Sequence, residues 1–217
     1  NTSNSHAMRG QEISLYAEDN FNVNARFSLN AGVRTSLFHT QGKSYYSLQP
    51  RLSARYDLGQ GYSAKASYTC MAQYVHLLSS TPLSMPTDLW VPITKDISPM
   101  YANQFSIGGY YSGLPGWEFS VEGYYKQMKH ILEYQDGVSF FGTSTNWEEK
   151  VEMGEGRSFG LELMVQKTLG KTTGWLAYTL SKTDHRFKNG TINQGRWFPY
   201  KYDRRHSISL NLSHKFS

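Results

Sequence analysis

The chain has 217 residues, enough for one compact domain or one large piece of a bigger one, and its one cysteine, Cys70, rules out a disulfide framework or a cysteine zinc cluster. The formal charge of +5 comes from bases scattered along the chain, which argues against nucleic acid as a partner and for a solvated polar surface. No run of about 18 apolar residues occurs, which excludes a transmembrane helix but not a transmembrane barrel, where only every second residue meets lipid.

Nine stretches alternate apolar and polar residues, the period of a strand with one apolar and one polar face. The first runs about Glu12 to Asp19, with Ile13, Leu15 and Ala17 opposing Ser14, Tyr16 and Glu18. A short turn leads to the second, about Ala25 to Phe38, where Phe27, Leu29, Ala31 and Val33 oppose Arg26, Ser28, Asn30 and Arg34. The third, about Tyr45 to Leu58, keeps its alternation on both sides of Pro50. Gly59-Gln60-Gly61 turns it into the fourth, about Tyr62 to Leu77, which carries Cys70 as a small apolar residue.

A long connection, roughly Leu78 to Tyr101, holds four prolines and Trp90. The fifth and sixth strands, about Ala102 to Ser112 and Trp117 to Tyr134, are joined by Gly113-Leu114-Pro115-Gly116. A second long connection, Gln135 to Gly156, carries Phe140, Phe141 and Trp147. The seventh strand, about Arg157 to Lys167, sets Phe159, Leu161, Leu163 and Val165 against Gly160, Glu162, Met164 and Gln166. The eighth runs about Gly174 to Lys182. A third long connection, Thr183 to Asp203, with Trp197 and Tyr200, precedes the ninth strand, about Arg204 to Phe216.

Connections are thus expected to alternate short and long, with aromatics and glycines in the long ones. This asymmetry predicts an all-β antiparallel transmembrane barrel in the bacterial outer membrane, with turns on the periplasmic side and loops outside. Single-chain bacterial barrels have an even strand number, and open sheet edges are untenable in lipid. Nine strands therefore predict that residues 1–217 are one partial barrel domain and that further strands lie elsewhere in the natural protein.

Five segments, in order, resemble the TonB-dependent outer-membrane receptor family. They are Ser14-Leu15-Tyr16-Ala17-Glu18-Asp19 with Leu29-Asn30-Ala31-Gly32-Val33-Arg34; Gly156-Arg157-Ser158-Phe159-Gly160-Leu161-Glu162-Leu163; Gly174-Trp175-Leu176-Ala177-Tyr178-Thr179-Leu180-Ser181; Phe198-Pro199-Tyr200; and Asp203-Arg204-Arg205-His206. The loop Pro82 to Pro99, with Leu89-Trp90-Val91-Pro92, resembles versions from Bacteroidetes-type bacteria. The resemblance implies the later part of a roughly 22-stranded barrel that encloses a plug domain absent from this chain. It further implies active import of a scarce nutrient (siderophore, cobalamin, glycan or peptide), energised through TonB, with outer-membrane lipid and in some members a surface lipoprotein as partners. A passive porin, or another barrel protein without TonB coupling, is the alternative.

Arg26, Arg34, Arg51, Arg55, Lys65, Glu122 and Glu162 fall on polar faces and are expected to line the lumen, either as a charged lattice against a plug or as simple solvation of the interior. Gly32, Gly108 and Gly160 fall there too, where a missing side chain permits a bend or close backbone approach. Trp90, Tyr101, Phe140, Phe141, Trp147, Trp197 and Tyr200 are the candidate substrate-binding set, stacking on sugars or gripping an apolar ligand. The competing reading has them packing loop on loop or anchoring at the membrane interface. The seven histidines show no His-x-x-x-His spacing, and no nucleophile-elbow glycine pattern occurs. No metal, cofactor or catalytic residue is expected, and the chain is not read as an enzyme.

Overall fold

A computed structural model describes residues 9–78, 89–135 and 147–216. Nine long strands make one antiparallel sheet: β1 (Gly10–Asn22), β2 (Phe27–Thr40), β3 (Lys43–Gly59), β4 (Tyr62–Gln73), β7 (Met100–Tyr111), β8 (Trp117–Tyr134), β9 (Val151–Lys167), β10 (Thr172–Arg186) and β12 (His206–His214). Each pairs with its neighbour in chain order, so the sheet is a meander. Short strands β5 (Val75–Leu78) and β6 (Leu89–Pro92) form a separate hairpin, and β11 (Phe198–Pro199) adds to the end of β10. Single 3-10 turns lie at Trp147–Lys150 and Asn193–Gly195.

The register carries the alternation across the whole sheet. Directly opposed residues share a face, so Gly32↔Arg51↔Thr69↔Gln104↔Lys126↔Ser158↔Thr183 is one polar row. On the other face lie rows such as Ala66↔Ile107↔Gly123↔Leu161↔Leu180. That second face is apolar and yet exposed: Ile107 is 69%, Leu161 41%, Leu163 41% and Ile208 71% accessible. An exposed apolar face spanning nine strands has no aqueous rationale and is the outer surface of a barrel wall in lipid.

Aromatic rows bound this face. Phe105, Tyr125 and Phe159 stand in one row, Tyr62, Tyr111 and Phe119 in another six positions along β7 and β8. Six residues of strand are about 20 Å, the scale of the apolar band between two interfacial girdles.

At one end the connections are short, residues 23–26, 60–61, 112–116 and 168–171. At the other they are long, with one exception. The β2–β3 connection is the two-residue turn Gln41-Gly42, with φ of 47° and 78°, the left-handed pair that matches strand twist. The expected strict alternation of short and long connections fails there.

Several strand boundaries also differ from the sequence-based expectation; Thr183–Arg186, expected as loop, extends β10, and the ninth strand is confined to His206–His214. The stretch Val151–Gly156, expected as loop, extends β9, and the fourth strand stops at Gln73 because Tyr74 turns inward. Gly160 and Gly108 do not stand open on the polar face. A Cβ on Gly160 would lie 2.8 Å from the Tyr124 ring, and one on Gly108 3.0 Å from the Tyr110 hydroxyl, so neighbouring tyrosines fill the missing side-chain space.

Candidate functional site

The best-buried side chains cluster at the long-loop end, over the polar face. Tyr74 stacks on Phe38 at 4.9 Å between ring centres, and its hydroxyl lies 2.6 Å from Ser36 Oγ and 2.7 Å from Ser47 Oγ. Gln49 Nε2 donates to both serines, so four buried polar side chains satisfy one another. Ile93, fully buried, packs on Phe38 and Tyr74. The Tyr45 hydroxyl donates to the Thr94 carbonyl at 2.6 Å and Lys43 Nζ to that of Lys95 at 2.7 Å. These contacts pin the β5–β6 hairpin and residues 93–99 onto β2 and β3.

The β10–β12 connection covers the other side. Phe187 has no accessible surface and packs with Ile131 and Ile192, flanked by Met100, Met128 and Phe198. The buried Glu152 carboxylate accepts hydrogen bonds from the Asn189 amide and the Thr191 hydroxyl. Gly154 is required beneath this cap, because a Cβ there would meet the Arg186 carbonyl and the Phe187 ring at 2.5 Å.

Between the two covered regions is a cavity of about 200 Å³ lined by Gln73, His76, Met100, Met128, Glu133, His185 and Tyr200 among others. His185 stacks on Tyr200 with ring centres 4.3 Å apart. Its Nδ1 is buried 3.7 Å from the Glu133 carboxylate, with no hydrogen-bond partner among the described residues. A stacked imidazole and phenol, two thioethers and a carboxylate suit a ligand with flat apolar surface and a hydrogen-bonding edge.

His76, on β5, is buried with Nε2 3.0 Å from the Ser98 carbonyl. Burial pushes its pKa below the ordinary 6.5, opposed by the Ser98 hydrogen bond and reinforced by the nearby His130. The unfolded state then binds more protons, so the group's contribution is complete above the unfolded value and is lost as pH falls through it. The urea midpoint of the hairpin should therefore drop between about pH 7 and about pH 5. His76→Gln should flatten that dependence; an unchanged slope would contradict it.

Of the candidate aromatics, Tyr200 lines the cavity. Trp197, three residues away, stands on the opposite face, with the guanidiniums of Arg157 and Arg186 over its ring at 4.4 Å and 4.7 Å from the ring centre. Tyr101 is also on the apolar face, its hydroxyl 3.3 Å from the Tyr46 carbonyl. Trp147 packs against the cluster of Leu78, Val91, Ile97, Leu132 and Val151, and Trp90 is 61% exposed on β6. Phe140 and Phe141 lie outside the described residues.

The charged candidates share the polar face. Arg34 pairs with Glu12 at 3.0 Å, and Arg51 lies against Gly32. Glu122 accepts from the Tyr110 hydroxyl at 2.7 Å and stands opposite Glu162. Arg55 and Lys65 oppose one another and, with Glu118, line a second cavity of about 360 Å³ toward the short-turn end. Arg26 precedes β2, its carbonyl accepting from the Asp57 amide. The sequence reading missed His185, Glu133 and Phe187. Continuing the β10 alternation past Lys182, through Thr183, would have put His185 and Phe187 on the polar side.

A family model described as TonB dependent receptor-like, beta-barrel, matches residues 1–217. No curated protein sequence matches the chain. Among solved structures it is similar to the ferric-catecholate import receptor Fiu of E. coli K12, at 16% identity and TM-score 0.67, covering 96% of this chain and 32% of that one. It is also similar to the ferripyoverdine receptor of the Pseudomonas aeruginosa outer membrane, at 18% identity and TM-score 0.65, covering 96% and 26%. The FrpB iron transporter of Neisseria meningitidis gives 14% identity and TM-score 0.67, covering 98% and 32%. At these identities the likeness is one of fold, and the chain spans about a quarter to a third of the length of the structures it matches.

Proposed function

The chain belongs to the TonB-dependent receptor β-barrel family of the bacterial outer membrane, and on that premise we propose that it takes part in active import of a scarce nutrient, captured in the cavity around His185 and Tyr200. The observation that carries this reading is the position of the cavity. It lies on the polar face, where two loop segments fold over the sheet at the end that is extracellular in such barrels. Siderophore-type iron chelates are the substrate class to test first. Two of the similar structures are an import receptor for a ferric catecholate and a ferripyoverdine receptor, and flat chelating rings suit the His185–Tyr200 stack.

The polar-face charges then have a second use. Arg55, Lys65 and Glu118, around the lower cavity, would hold a plug domain through ion pairs that water can replace when TonB pulls. Exposed pairs of this kind are individually worth under about 1 kcal/mol, weak enough to be exchanged during transport.

The test uses cells expressing the full-length receptor under iron limitation. Uptake of the labelled chelate should stop on adding a proton uncoupler, and Tyr200→Ala should weaken chelate binding roughly three- to tenfold. Uptake that continues through the uncoupler would favour a passive pore, and unchanged binding in Tyr200→Ala would remove the cavity from the account.

A further inference from the structure

The cavity around His185 and Tyr200 has an acceptor-rich lining. Gln73 Nε2 already donates to the Val75 carbonyl at 2.6 Å, and the Thr183 hydroxyl is engaged with Ser158 Oγ at 2.9 Å. His76 donates through Nε2 to the Ser98 carbonyl, which leaves its lone pair on Nδ1. The charged group of the lining is a carboxylate, Glu133, and among the described residues around the cavity there is no lysine or arginine.

Glu133 owes its place to a bulge. His130, with φ of 58°, interrupts the β8 register, so that Glu133 turns to the polar side directly opposite Glu152. Glu152 is buried and accepts from two neutral donors, the Asn189 amide and the Thr191 hydroxyl. The Glu133 side chain stays 24% exposed, and the one base within ion-pair distance among the described residues is His185. At 3.7 Å the His185 Nδ1 is too far for a hydrogen bond and keeps no partner. Two carboxylates opposed across a strand pair are unfavourable until a cation joins them.

The walls ask for a flat cation. His185 and Tyr200 are stacked ring on ring, Met100 and Met128 present thioethers, and about 200 Å³ holds one six-membered ring with a small planar substituent. We propose that this cavity takes a planar nitrogen cation (an amidinium, a guanidinium or a protonated amino-heterocycle) with its N–H edge on the Glu133 carboxylate. Such an edge and a carboxylate form two parallel charge-assisted hydrogen bonds. The proposal rests on the reading of this cavity as the capture site and narrows it. A chelate that binds here presents an N–H-rich cationic group, and a bare catecholate, whose iron-bound oxygens are negative, is disfavoured.

The test is a saturation-transfer NMR titration of the full-length receptor in detergent with benzamidine, benzamide and benzoate, which share one ring and differ in the charge of a planar substituent. Benzamidine should bind saturably and roughly tenfold or more tighter than the other two. Glu133→Gln should bring it down to the benzamide affinity, while Glu162→Gln, lower on the polar face, should leave the preference intact. Benzoate binding as well as benzamidine, no saturable binding of any of the three, or a preference that survives Glu133→Gln would overturn the proposal. The wild-type comparison needs no substitution and stands even if Glu133→Gln fails to fold. The transport reading is scored separately by the uncoupler. Energised uptake without a benzamidine preference refutes this proposal alone, and a benzamidine preference with uptake that ignores the uncoupler refutes transport alone.

Discussion

Leu161→Arg should destabilise the barrel by about 2–4 kcal/mol, whereas Gln166→Arg, five residues along the same strand, should change stability by under about 0.5 kcal/mol. Leu161 lies on the exposed apolar face between Gly123 and Leu180, with a row of aromatics on its loop side and Leu163 and Val165 on the other. In water an arginine there would be welcome. In mid-bilayer it must snorkel, thin the membrane or remain unsolvated, and the cost follows depth. Gln166 stands opposite Glu118 and Trp175 on the polar face, where a guanidinium finds water and a carboxylate. Urea-induced unfolding of the full-length protein in lipid vesicles gives both values. Equal tolerance at the two sites would mean that the apolar face does not meet lipid.

Phe187→Ala should cost about 3–5 kcal/mol, expressed locally as opening of the cap. Phe187 has no accessible surface, and its ring touches the site where a Gly154 Cβ would stand, so its loss leaves a cavity that the strand backbone cannot close. The Asn189 amide, which donates to the buried Glu152 carboxylate, should then lose hydrogen-exchange protection. The Tyr74 network, on the other side of the cavity, should keep its own. Loss of protection at both would show one cooperative cap rather than two independent segments. Since Phe198 and Met128 contact both the Phe187 cluster and the His185 region, the same substitution should weaken ligand binding as well.

The wall of the molecule was legible in the chain because its physics is local. Phe159, Leu161, Leu163 and Val165 alternate with Gly160, Glu162, Met164 and Gln166, and no long-range contact is needed to know that they part to two faces. The register then carries that division from β1 to β12, except past His130, where a bulge shifts the β8 alternation and sets Ile131 and Glu133 on the polar side opposite Gly154 and Glu152. What sits at the loop end depends on contacts between segments distant in sequence. Val151-Glu152-Met153-Gly154-Glu155-Gly156 reads as loop, since two glycines and two acids break its alternation. It is strand because Gly154 lies under Phe187 and the buried Glu152 carboxylate accepts hydrogen bonds from the Asn189 amide and the Thr191 hydroxyl. Tyr74 continues the fourth alternation on paper but leaves the sheet to reach Ser36 and Ser47.

The candidate aromatics show the same limit. Trp197 and Tyr200 are neighbours in sequence with identical prior claims on a ligand. The short pairing of Phe198 and Pro199 with His185 and Asp184 sends them to opposite faces, one to two arginines and one to a histidine. No composition rule contains that register. For Trp147 the sequence offers ligand contact and loop packing alike, and the structure has it packing against a buried cluster, since Leu78 and Val91, far away in the chain, arrive beside it.

The central claim is that odd-numbered β9 residues from Phe159 to Val165 meet lipid and even-numbered ones meet water. Spin labels placed one at a time at positions 159 to 166, in the full-length protein carrying Cys70→Ser and reconstituted in bilayers, measure it by collision with oxygen and with a water-soluble nickel chelate. The account predicts a strict two-residue alternation, with oxygen favoured at 159, 161, 163 and 165 and the chelate at 160, 162, 164 and 166. Chelate access at 161 and 163 equal to that at 162 and 164 would contradict it.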